Sequence, residues 1–108
     1  MRNRSFTIRF PIFNYEMRVI FSSNLKTTCQ RLGIASAYPC EACFVGDAKE
    51  PKGWLVFSAS PDEGTVAHEA SHAIQELFRC VGVRRDDETF AYHLDYLVSR
   101  IHKFLKRT

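Results

Sequence analysis

No stretch of this 108-residue chain approaches the roughly 20 consecutive apolar residues that a membrane-crossing helix needs. A secretory core is missing as well, because Arg9, Pro11, Asn14, Glu16 and Arg18 interrupt every early apolar run. The expectation is a cytoplasmic protein without a membrane partner. Glycine and proline are scarce, at five and four residues, and no repeat or low-complexity segment occurs, which sets aside linker-rich and solenoid organisations. Cysteine is too sparse for a disulfide framework: in a reducing compartment Cys29, Cys40, Cys43 and Cys80 read as thiols. Cys40 and Cys43 form a C-x-x-C, but a second ligand pair is lacking at useful spacing. Residues 42–45 also read as a strand, whereas a redox C-x-x-C opens a helix.

Neither sign of charge dominates, and the net charge is +3. Much of the surplus lies at the ends (Arg2, Arg4, Arg9, Lys103, Lys106, Arg107) and reads as solvated charge rather than as a nucleic-acid surface. What the chain does have is apolar material. Hydrophobic residues make up 45%, including nine Phe, enough to bury a core in one domain spanning residues 1–108.

Alternation of apolar and polar residues predicts strands at 5–10 and 15–21, joined by a turn at 11–14, hence an N-terminal hairpin. Ser22, Ser23 and Asn24 offer caps for a short helix that reaches Leu32 and stops at Gly33. Strands follow at 42–45 and 54–58, separated by a polar loop at 46–53. Ser60 and Glu63 then read as a capping box, with Thr65 as a later alternative cap, for a helix running to Cys80 and ended by Gly82. After a polar loop at 83–87, a last helix spans about 88–106. These elements predict an α+β domain: a small antiparallel sheet with its N-terminal hairpin, packed against two long helices.

The first of those long helices carries His68-Glu-Ala-Ser-His72, an H-E-x-x-H pentapeptide. On a helix this spacing puts two imidazoles one turn apart, beside a carboxylate, where they can hold a zinc ion. Both histidines fall opposite the apolar stripe of Val66, Ala70, Ala73, Ile74, Leu77 and Val81. In the last helix Phe90, Leu94, Leu97, Ile101, Phe104 and Leu105 form the apolar arc, opposite Glu88, Tyr92, Asp95, Ser99 and His102. If the two polar faces converge on a cleft, Glu88 becomes the third ligand, with Asp87 and His93 as alternatives and Asp86 further behind. The metal would activate a water, Glu69 would serve as general base, Tyr92 would donate to an oxyanion and Asp95 would orient a ligand imidazole.

These residues resemble the small zincin-like metallopeptidases, in particular minimal versions encoded by bacteriophages and prophages. The resemblance covers about residues 54–97. It implies zinc held by His68, His72 and Glu88, Glu69 as base, and a protein or peptide substrate. It also implies that the strand at 54–58 binds extended substrate by edge pairing. The departures are Tyr92, where larger relatives carry an aspartate four residues after the third ligand, and the lack of a third histidine soon after His72. The expected activity is a zinc-dependent hydrolase, most simply a peptidase. The alternative is a catalytically silent, zinc-containing binding module, such as a phage-encoded protein that binds a host factor.

Overall fold

The computed structural model describes residues 3–10, 13–33, 42–46, 50–82 and 86–107, with the side chains of 42–46 left aside. Cys40, the first two residues of the expected turn at 11–14, residues 47–49 of the polar loop and 83–85 of the second loop lie outside the described residues. The hairpin forms from β1 (Arg4–Phe10) and β2 (Tyr15–Ser22), paired antiparallel from Arg4 opposite Phe21 to Phe10 opposite Tyr15. Asn14 closes it at φ 50, a left-handed conformation that asparagine tolerates better than most residues.

Helix α1 (Leu25–Arg31) is capped by Asn24, whose Oδ1 accepts from the Thr27 N–H at 3.1 Å. A small polar network pins it to the end of the sheet. Ser22 Oγ and Thr28 Oγ1 share a buried hydrogen bond of 2.6 Å, and Asn3 Nδ2 donates to the same Thr28 oxygen.

Strands β3 (Ala42–Gly46) and β4 (Lys52–Ser58) pair antiparallel, but β4 also pairs parallel to β2, so the sheet order is β1-β2-β4-β3. The sheet is therefore mixed, not antiparallel as expected. Its second correction concerns position: the strand expected to receive substrate at 54–58 is an interior strand with neighbours on both sides, so its backbone has no edge to offer. The sequence does show that both faces of this strand are covered. Trp54-Leu-Val-Phe57 is a continuous apolar run, the pattern of a strand covered on both faces. Leu55 and Phe57 enter the large core on one face, while Val56 joins Ile20 and Cys29 under α1 on the other.

Helices α2 (Glu63–Val81) and α3 (Asp87–Leu105) lie on the face opposite α1. Their starts are fixed by aspartates. Asp62 accepts from the Thr65 N–H at 2.7 Å, and Asp86 accepts from the Glu88 and Thr89 N–H groups. Both carboxyls are held below their ordinary pKa, Asp62 first by the backbone N–H of Thr65 and Asp86 first by the Thr89 hydroxyl. Thus Asp62, rather than Ser60, caps α2. Gly82 ends that helix at φ 72, as its position predicts.

Between the helices and the sheet lies one core that includes Ile8, Phe10, Met17, Val19, Phe21, Leu55, Phe57, Ile74, Leu77, Leu97 and Ile101. Each such side chain contributes roughly 1.5–3 kcal/mol by leaving water. Three stacked rings, Phe57, Phe21 and Phe104, run through it at 5.6 Å steps from the sheet centre up to α3. Phe6 adds a fourth ring, 4.6 Å from Phe104.

Candidate functional site

The pentapeptide lies in α2, and its histidines do approach each other. Their Nε2 atoms are 3.3 Å apart and their rings meet edge to face at 4.7 Å. The Glu69 carboxylate stands 3.7 Å from the His68 Nε2. His68 is 69% exposed at its side chain, whereas Glu69 is only 18% exposed. Further along, Arg79 Nη2 bonds Glu76 at 2.6 Å and holds that carboxyl below its ordinary range.

The expected third ligand does not join this pair. Phe78 of α2 meets Phe90 and His93 of α3 at 5.9 and 5.5 Å, which registers the end of one helix against the start of the other. Glu88 belongs to that first turn of α3, beside Phe90. His72 precedes Phe78 by about 9 Å of helix rise. Asp87 shares the location of Glu88, and Asp86 is committed to capping. His93 faces inward among Phe10, Phe13 and Phe78, with Nδ1 2.8 Å from the Thr89 carbonyl.

Among the described residues, no group of three or more His, Cys, Asp and Glu side chains is placed to hold a metal ion. This overturns the zinc expectation and everything that rested on it: the zincin-like, phage-type metallopeptidase, its hydrolysis through metal-activated water, and the silent zinc-containing module. The physical reason lies in the layering. Two helices laid side by side on one sheet face turn both apolar arcs toward the sheet, and their polar arcs then point to water instead of converging. The base role expected for Glu69 and the oxyanion role expected for Tyr92 had rested on that ion. The orienting role expected for Asp95 rested on it as well.

Tyr92 belongs to a different surface. It is 71% exposed, and one turn later Tyr96 is 37% exposed. Arg100, a further turn on, donates to the Tyr96 hydroxyl at 3.2 Å with its guanidinium 5.8 Å from that ring. Tyr96 packs edge-on against Phe10 of β1 at 5.7 Å, so this flank of α3 overlooks β1. α2 lies toward the opposite side of the sheet, against β3 and β4. The flank was missed in the sequence, although its spacing of four residues, Tyr92, Tyr96, Arg100, is a legible stripe.

β1 is itself an end strand of the sheet among the described residues. It is seven residues long, contains no proline and pairs with β2 in unbroken register. No helix among the described residues is long and apolar enough to cross a membrane. Compared with known proteins, the chain matches no family model, no curated protein and no solved structure.

Proposed function

We propose that residues 1–108 form a single protein-binding domain that takes up an extended segment of a partner protein along the outer edge of β1. The observation that carries this reading is a regular, seven-residue end strand whose Phe10 packs against Tyr96 of α3, with the exposed Tyr92 one turn before it on that helix. An end strand presents a row of unsatisfied backbone donors and acceptors, which a second extended chain can complete. Backbone pairing supplies affinity with little sequence demand, and side-chain contacts beside it supply choice. Tyr92 and Tyr96 suit the second task, since tyrosine offers a large, stiff, amphipathic surface at small entropic cost. Tyr92 therefore acts as a contact residue in this reading, and no catalytic step is assigned to it.

The test is a selection of random eight-residue peptides on the wild-type domain, with counter-selection on the Tyr92→Ala, Tyr96→Ala double variant. Enriched peptides should slow amide exchange across residues 4–10, while circular dichroism shows that the variant keeps its fold. Enrichment of peptides that protect another strand or helix, or no enrichment over the double variant, would overturn the proposal.

A further inference from the structure

The edge of β1 is bordered by arginines on both faces of the sheet. On the helix side Arg100 donates to the hydroxyl of Tyr96, one turn before it on α3, and the Tyr96 ring packs against Phe10 of the strand. On the other side Arg9 projects from β1 with its side chain 64% exposed, and Arg18 reaches across from β2 to donate to Ser5 Oγ of β1 at 3.2 Å. At the far end Arg4 donates to the carbonyls of Phe104 and Arg107. Glu16, paired with Arg9 at 3.3 Å, is the carboxylate bonded within this group, and neither Arg18 nor Arg100 has a carboxylate partner among the described residues. In a chain whose net charge is only +3, this is a local excess of positive charge.

We propose that the segment received by β1 is acidic, an extended peptide whose carboxylates alternate with apolar residues. The inference rests on the edge-pairing reading above and names its ligand chemistry. Successive side chains of an added strand point to opposite faces of the sheet. One set would lie beside Ser5, Thr7 and Arg9, within reach of Arg18, and carboxylates there meet two guanidinium groups. The other set would lie beside Phe6, Ile8 and Phe10 under the α3 flank, where apolar side chains meet Tyr96.

The same charges argue against a second copy of this chain as the occupant. Pairing two β1 edges would set Arg9, Arg18 and Arg100 of one copy against those of the other, and like charges across a strand pair are unfavourable. The Arg9–Glu16 pair does not close the site, because an exposed ion pair is weak enough to be shared.

The probes are two synthetic peptides, an eight-residue Glu-Val alternation and its Gln-Val counterpart, with amide shifts recorded on the intact domain. The acidic peptide should move the amides of residues 4–10 and bind at least about tenfold more tightly than the glutamine peptide, with the advantage lost at high salt. Arg9→Glu and Arg18→Glu should each remove most of that advantage, and both side chains are exposed, so the fold should persist. Equal binding of the two peptides at β1 would overturn the acidic inference and leave the edge-pairing reading standing. If neither peptide moves the β1 amides, both fall. A single-stranded thymidine oligonucleotide that binds through the same arginines without moving those amides would overturn the peptide in favour of nucleic acid.

Discussion

At the scale of single residues, the two histidines show how much a motif leaves open. Two imidazoles one turn apart follow from the helix alone, and the 3.3 Å approach of their Nε2 atoms is the outcome. A third ligand depends on where another element falls, and Glu88 falls against the end of α2 beyond them. Because His68 is exposed and the pair forms no three-ligand group among the described residues, neither histidine should matter much to stability. His68→Ala and His72→Ala should each change unfolding free energy by no more than about 0.5 kcal/mol. A chelator should leave the thermal midpoint where it is. Loss of several degrees in either experiment would contradict the metal-free reading.

At the scale of elements, the helix starts were legible in outline and misplaced in detail. Ser60 and Glu63 have the spacing of a capping box, yet Asp62 takes the cap, because its carboxylate reaches the Thr65 N–H. Asp86 does the same for α3 through the hydroxyl and N–H of Thr89. Their carboxyl pKa values are lowered from the ordinary 3.8 in the folded state. With a folded pKa below the unfolded one, their stabilisation is fully present above the ordinary carboxylate value and is lost as pH falls through the depressed value. Asp62→Asn and Asp86→Asn keep a capping oxygen but cannot titrate. The thermal-midpoint difference between wild type and the double variant should therefore shrink steadily from about pH 6 to about pH 2. A constant difference would show that these carboxylates contribute nothing through their charge.

The strands tell a similar story. Alternation places β1 and β2 correctly to within a residue at each end, because a half-buried strand writes its inward face into the sequence. For β4, alternation is absent, and the continuous run 54–57 reports burial on both faces without saying which neighbours provide it. Pairing order is a long-range property, so the interior position of β4 came only from the assembled sheet.

At the scale of the whole molecule, β4 is where the two halves of the chain meet. It pairs parallel to β2 from the first half and antiparallel to β3, and its Phe57 stacks on Phe21 within the ring column that ends at Phe104. Removing that ring should act on the whole structure. Phe57→Ala should cost about 3–5 kcal/mol, seen in urea as one cooperative transition shifted to lower concentration. Trp54→Ala, on the partly exposed α1 face of the same strand, should cost clearly less. If Phe57→Ala instead produced two separate transitions, the hairpin and the helical layer would be independent units.

The sequence by itself determined the local geometry of this protein: strand alternation, both long helices, the glycine that ends α2, and the convergence of His68 with His72. These depend on neighbours within a few residues, whose periodicity the chain states directly. The tertiary structure alone decided that β4 is interior, that the polar arcs of α2 and α3 point to water, and that Tyr96 of α3 packs against Phe10 of β1. Those outcomes depend on which distant surfaces bury one another. A three-ligand site needed two helices to face each other, and the shared sheet beneath them turned both the same way.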